Sequence, residues 1–226
     1  MIILGIDSST DAGGVALATP EGILGEISLH KGRSHSMTLA PMVRDLLNLA
    51  GLTLKDLGGI AVNSGPGSFT GIRIGLSLGA SLALGAELPT VGISALEALE
   101  WKGRGLPGVQ TLPLIRARGE EAYVRLDGEE TVLSLEELMA RLSREEPLLV
   151  LGDGAEAFGT ALRDAGFQVP DIPSGAFASG AAATASCGLL ALSGGRGGGP
   201  EDLHPNYLRR PEAELQLERK LRGGNA

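Results

Sequence analysis

One stretch, residues 60 to 86, limits what this chain can fold into more than any other. A short apolar run, Ile60 to Asn63, ends in a loop of glycine and small residues, Ser64 to Thr70, and no charged residue occurs between Arg73 and Glu87. The run predicts a strand, the loop a tight connection, and the uncharged stretch a helix from Gly71 to Ala86. Strand, glycine loop and helix in that order are the building unit of an α/β sheet.

The flanking sequence extends the pattern. Met1–Ile6, Val15–Ala18, a run opened by Gly13-Gly14, and Ile23–Leu29 read as a three-stranded meander, with a turn at Pro20-Glu21-Gly22. A helix from Ser36, its cap, to Ala50 is stopped by Gly51, and Pro41 lies early enough to be tolerated. Pro89–Ile93 predicts a strand and Ser94–Trp101 a short helix. The segment Lys102–Gly108 carries three glycines and a proline and marks a domain boundary. Beyond it the pattern restarts, with strands at Thr111–Ile115, Ala122–Leu126 and Leu148–Leu151 and helices at Leu135–Leu142 and Ala155–Ala165; Ser134 and Glu137 have capping-box spacing. Residues 1–103 and 104–226 are therefore expected as two lobes of an α/β protein, the second smaller.

From Ile172 to Gly195 there is again no charge, but the run is mostly Ala, Gly and Ser with three leucines, too weakly apolar for a membrane span. It predicts a buried helix from Ala178 to Ser193, then a flexible connector, Gly194–Gly199, and a frayed end over the last six residues. Glycine makes up 35 of 226 residues while Phe, Tyr and Trp total seven, so tight turns and an aliphatic core are expected. The net charge of −8 repels phosphate backbones and argues against a chain that grips nucleic acid alone. A single cysteine, Cys187, excludes an intrachain disulfide framework, and Met1–Ile6 is unlike a signal peptide; the cytoplasm is the expected compartment.

Candidate chemistry is sparse. The loop Gly65–Gly75 either cradles a phosphate at a helix N-terminus or is a structural turn; it lacks the lysine of a Walker loop and has Thr70 where GxGxxG requires glycine. Asp7, followed by Ser8, Ser9 and Thr10, either holds a magnesium ion through water or forms a local turn, and the turn is the simpler reading. His30, His35 and His204 lack metal-ligand spacing, and Ser34-His35-Ser36 has no triad geometry.

The helices say more. Gly71, Gly75, Gly79 and Ala83 form a small-residue stripe that admits a close neighbouring helix, with Leu76, Leu78, Leu82 and Leu84 opposite. Met37, Leu39, Met42, Val43 and Leu46 likewise cover more than one face of the preceding helix. A surface helix needs one apolar face, so the pair is expected to meet another subunit; the alternative is that both are buried within this chain.

Ile6-Asp7-Ser8-Ser9-Thr10, Arg33-Ser34-His35-Ser36, the loop Gly65–Gly75 and Gly92-Ile93-Ser94-Ala95-Leu96-Glu97 resemble, in order and spacing, the bacterial TsaB (YeaZ) family over residues 1 to about 100. The resemblance implies a two-lobed actin/Hsp70/sugar-kinase (ASKHA) fold, each lobe a mixed sheet with helices. It also implies a non-catalytic subunit in making N6-threonylcarbamoyladenosine on tRNA. Such a subunit holds the transferase TsaD active, with the ATPase TsaE as a further partner, pairs with a second copy of itself when alone, and meets tRNA only through the complex. TsaD carries a His-x-x-x-His metal pair where this chain has Ala95 and Leu99, so neither metal nor transfer chemistry is expected here. No cofactor is expected; a nucleotide at the partner interface is left open, with Asp7, Ser8, Ser9, Gly65, Gly67 and Ser68 as its contacts. The chain departs from the family at Arg116-Ala117-Arg118, where Asp-Ala-Arg is common. Two rivals stand beside this reading. One is an ATP-dependent kinase of the same fold, with Gly152-Asp153-Gly154 as its second phosphate hairpin; the other is a glycoprotease, for which neither metal ligands nor a nucleophile–base pair are present.

Overall fold

Strand β1 (Ile3–Asp7) is buried from end to end, and its pleat sends Leu4 and Ile6 to one face and Ile3, Gly5 and Asp7 to the other. A strand of this kind needs cover on both faces, and the chain supplies it from two distant segments. The computed structural model describes residues 1–31, 34–171 and 180–208. In it β1, β2 (Ala12–Thr19) and β3 (Gly22–His30) form the antiparallel meander, and β4 (Gly59–Gly65) and β5 (Thr90–Ser94) extend it in parallel, giving the order β3-β2-β1-β4-β5.

Helices α1 (His35–Ala50) and α2 (Phe69–Ala86) cover the Leu4 and Ile6 face. Leu39, Met42, Val43, Leu46 and Leu47 of α1 recur at helical spacing and pack with Ile72, Leu76 and Ala83 of α2 on Val15, Leu17, Ile60 and Val62. The other face is paved with small residues, Gly5, Ala16, Ala18 and Ala61, and against it lies α6 (Ala181–Ser193), itself built of Ala, Gly, Thr and Cys at its buried positions. The fit is close enough that a Cβ on Gly188 would collide with the Cβ of Ala61.

The second lobe has sheet order β8-β7-β6-β9, formed by β6 (Gln110–Arg116), β7 (Glu121–Leu126), β8 (Glu129–Ser134) and β9 (Leu148–Leu151). Helices α4 (Leu135–Arg141) and α5 (Ala155–Asp164) close its core through Leu138, Phe158 and Leu162. Ser134 and Glu137 make the capping box that the spacing predicts. Helix α3 (Ala95–Gly103) stands between the lobes and packs on α6 and β6.

Four expectations need correction. The C-terminal segment does not remain in the second lobe: α6 returns to the first sheet, because only there does a small-residue face await a small-residue helix. Strand β8 was not expected; Asp127 and Gly128, both at positive φ, turn β7 into it. Helix α1 begins at His35 with Ser34 at the cap position, so Ser36 is inside it. The connector Gly194–Gly199 is tied down, since Gly198 and Thr90 exchange backbone hydrogen bonds of 2.9 and 3.0 Å. Arg33, residues 172–179 and the last six residues lie outside the described residues.

Candidate functional site

Between the lobes opens a cleft of about 820 Å³. The first lobe brings Asp7, Ser9 and Thr10 from the end of β1, Asn63 from β4, and Gly67 and Ser68 from the glycine loop; the second brings Gly152, Asp153 and Glu156 from the β9–α5 turn. Of the expected nucleotide-contact residues, Asp7, Ser9, Gly67 and Ser68 line the cleft, whereas Ser8 bonds to Gly71 of α2 and Gly65 packs against Ile72. Their hydrogen bonds are largely internal. Asp7 Oδ1 accepts from the backbone N–H of Ser9 at 2.9 Å and from its hydroxyl at 2.7 Å, and Oδ2 accepts from the N–H of Gly180 at 2.9 Å. The pleat that points Asp7 toward α6 thus places a carboxylate at the N-terminus of that helix, where the peptide dipoles favour it.

The glycine loop lies directly on this turn. Ser8 Oγ donates to the carbonyl of Gly71 at 2.8 Å, and the N–H of Ser68 donates to the carbonyl of Ser9 at 2.7 Å. A Cβ on Gly67 would strike the Ser9 carbonyl, and one on Gly71 the Ser8 carbonyl, so backbone contact is what the glycines permit. Gly65 N–H donates to Asn63 Oδ1 at 2.9 Å, and Ser68 Oγ caps α2 by accepting from Gly71 N–H at 3.2 Å. With its amides at Gly65 and Ser68 already bound to protein oxygens, the loop has the form of a structural turn whose tip, Gly67 and Ser68, is exposed to the cleft.

The walls are mostly acidic. Asp7, Asp11, Asp153, Glu156 and Asp171 face Lys102, Arg116 and Arg163. Burial pushes the Lys102 amine below its usual range, against the opposing pull of Asp7 and Glu26. Burial also raises the Asp153 carboxyl, although the Arg116 N–H donates to it at 2.8 Å and the guanidinium lies 3.9 Å away. Arg116, the departure noted above, is thereby the partner of Asp153. Ala95 and Leu99 of α3 line the cleft with apolar side chains, and among the described residues no three His, Cys, Asp or Glu side chains group as metal ligands. His35 is buried, with Nε2 2.8 Å from the Thr10 carbonyl; a carbonyl only accepts, so Nε2 carries the proton and the ring braces the turn. Asn63, Lys102 and Glu156 were not singled out from the sequence; the spacing Ala95, Ala98, Leu99, Lys102, one face of a short helix, was the available signal.

The second candidate surface is the outer side of α1 and α2, which pack against each other. Here the expected assignment is corrected. Gly71, Gly75, Gly79 and Ala83 face the chain's own sheet: a Cβ on Gly79 would collide with Val62, and one on Gly75 with the Ser8 hydroxyl. Leu39, Met42, Val43, Leu46 and Leu76 are likewise buried in the first core. The small-residue stripe is used by a strand, not by a partner helix. What faces outward is Met37, 78% exposed, Leu49, 81%, Leu84, 74%, and Phe69, with Ile74, Leu78 and Leu82 half-buried beside them. At one end Phe69 stacks on Tyr207 with ring centroids 5.7 Å apart, and Arg73 lies 3.9 Å over Phe69 while donating to the Tyr207 hydroxyl at 3.1 Å. Of the described helices, α2 is long and apolar enough to cross a membrane, yet its glycine side is packed on β4.

Two mixed sheets flanked by helices around a central cleft define the actin, Hsp70 and sugar-kinase class, and the ROK hexokinase of Thermus thermophilus shares this fold at a TM-score of 0.50 and 14% identity, covering 85% of this chain and all of that one. Residues 18–146 match the family model described as TsaD, tRNA N6-adenosine threonylcarbamoyltransferase. The structure of YeaZ from Pseudomonas aeruginosa is similar at a TM-score of 0.72 and 30% identity, over 91% of this chain and 99% of that one. The tRNA threonylcarbamoyladenosine biosynthesis protein TsaB of Escherichia coli K12 is 40% identical over 126 residues, 54% of this chain and 53% of that protein. The chain belongs to the TsaB (YeaZ) family. In sequence it spans about half the length of the curated relatives it matches.

Proposed function

We propose that this chain is a non-catalytic subunit in tRNA N6-threonylcarbamoyladenosine biosynthesis, binding the transferase TsaD and holding it active through the outer face of α1 and α2. The observation that carries the proposal is that face: Met37, Leu49, Phe69 and Leu84 leave apolar surface in water on two adjacent helices whose inner sides are already satisfied. A partner protein removes that cost, and alone a second copy does the same. Ala95 and Leu99 where the transferase has its ligand pair support a partner's role over a transferase's, and the acidic cleft, which opposes an anionic nucleotide, supports it over a kinase's. TsaE joins the assembly, tRNA is met only through the complex, and the setting is the cytoplasm. Purified protein should leave tRNA unmodified with threonylcarbamoyl-adenylate and should stimulate TsaD several-fold. Modification without TsaD, or an equal rate with and without this chain, overturns the proposal.

A further inference from the structure

Helix α3 separates two cavities. Ala95, Ala98, Leu99 and Lys102 line the cleft, whereas Glu97, Glu100, Trp101 and Arg104 point into a second cavity of about 550 Å³ on the opposite side. Its remaining walls come from the C-terminal half of α6, the following turn, and the second lobe at Thr111 and Arg125. Nothing in the proposed role of the chain uses it.

The floor is apolar. Trp101 is half-buried, Leu190 is 52% exposed, and Cys187 and Ala191 are buried beneath. Burial pushes the Cys187 thiol up to about 12, so it stays protonated and serves as a small apolar wall. Three guanidinium groups stand above. Arg125 donates to Glu100 at 2.9 Å and to Glu130 at 3.2 Å, and Arg196 donates to Glu97 at 3.3 Å. Arg104 differs. Among the described residues it has no carboxylate partner, and its guanidinium carbon stands 5.0 Å from the Trp101 ring centroid. Glu97, Glu100 and Glu130 are thus all engaged by Arg125 and Arg196, and Arg104 is left without a carboxylate of its own, beside an aromatic face and an apolar floor.

We propose that this cavity binds a small aromatic carboxylate, its ring against Trp101 and Leu190 and its carboxylate on Arg104. The volume suits a small molecule. A guanidinium fork matches a carboxylate in shape and charge, and a single carboxylate gives Arg104 the partner it lacks, where a polyanion would meet Glu97 and Glu100. A neutral ring forgoes the ion pair, and an anion without a ring forgoes the floor.

Trp101 is the chain's one tryptophan, so the indole N–H resonance and the fluorescence excited at its absorption edge report on this cavity alone. Phenylacetate and 3-phenylpropionate are titrated against the full chain, with acetate and 2-phenylethanol as the two halves of the same chemistry. A saturable shift with a Kd of about 1 mM or tighter for at least one aromatic carboxylate, and binding at least about tenfold weaker for both halves, is expected. Arg104→Gln should weaken binding about tenfold or more, as should Leu190→Glu, which sets a negative charge at the exposed mouth. If Arg104→Gln fails to fold, Leu190→Glu decides alone. The proposal is overturned by no saturable response to either carboxylate, by equal responses to acetate or 2-phenylethanol, or by affinity unchanged in the folded variants. TsaD plays no part in the assay, so the outcome is separate from that of the partner reading.

Discussion

Helices α2 and α6 are written in nearly the same alphabet, rich in glycine, alanine and leucine, with Arg73 of α2 as the sole charged residue between them. Their surroundings differ. In α6, 7 of 13 residues are buried, with the first sheet on one side and α3 on another; in α2, 6 of 18 are buried, with the sheet, α1 and the segment Pro200–Asp202 as its neighbours. The same composition serves a helix that its own chain mostly covers and a helix that its own chain leaves largely open. Apolar character all round therefore identifies a helix that must be covered, and only the packing shows whether the chain itself supplies the cover.

The strongest way to break this comparison is on the inner sides, where the two helices should behave alike. Gly79→Leu in α2 and Gly188→Leu in α6 drive a side chain into Val62 and Ala61, and each should cost about 3 kcal/mol or more, read as a large fall in thermal midpoint. A folded Gly79→Leu protein of normal stability would mean that the stripe faces outward after all.

The outer sides should then part company. Leu84→Glu, alone or with Met37→Glu, should leave stability within about 0.5 kcal/mol of the parent while weakening TsaD binding and self-association about tenfold or more, measured by calorimetry and sedimentation. Unchanged association in both variants would remove this face from the interface.

A smaller effect sharpens what enclosure means for α6. Thr184 Oγ1 is buried without a hydrogen-bond partner among the described residues, so Thr184→Val should raise stability by about 1 kcal/mol, whereas exposed Ser81 of α2, which donates to the Ser77 carbonyl at 2.7 Å, should tolerate alanine within about 0.5 kcal/mol. A further effect appears only at alkaline pH. Burial raises the Cys187 pKa from 9.0 to about 12, so the unfolded chain releases the thiol proton first and stability falls as pH rises through that window. Cys187→Ala should flatten that part of the alkaline stability profile in denaturant melts; an identical slope in both proteins would show the thiol to be accessible.

Much of the fold was legible. The meander, both β-α units of the first lobe and the capping box at Ser134 follow from periodicity and turn residues. Strand β8 escaped because Glu129-Glu130-Thr131 looks polar, although Asp127-Gly128 was a hairpin signal in plain view. The lobe to which α6 belongs had no local signal at all, since its partner face, Gly5, Ala16, Ala18 and Ala61, is spread over three strands. Helix spacing identified the stripe Gly71, Gly75, Gly79 and Ala83 but carries no information on whether a strand or a foreign helix fills it. At the site, Asp7, Ser9, Gly67 and Ser68 lie along one cleft, while its acidic balance depends on Asp153, Glu156 and Asp171 arriving from the other lobe.

Because α6 is the second cover of the first sheet, that sheet cannot be completed while the chain is being made until residue 193 has emerged. At roughly 5 to 20 residues per second, β1 waits about 10 to 40 s with Ile3 and the small-residue face of its neighbours open to water. The contacts that end this interval join residues from about 130 to more than 170 apart, as in Gly188 on Ala61 and the Gly180 N–H on Asp7, so closing the first lobe is a late, long-range step that follows synthesis of the whole second lobe. A nascent chain stalled near residue 170 should accordingly present its N-terminal half to chaperones, and release of the stall should withdraw it.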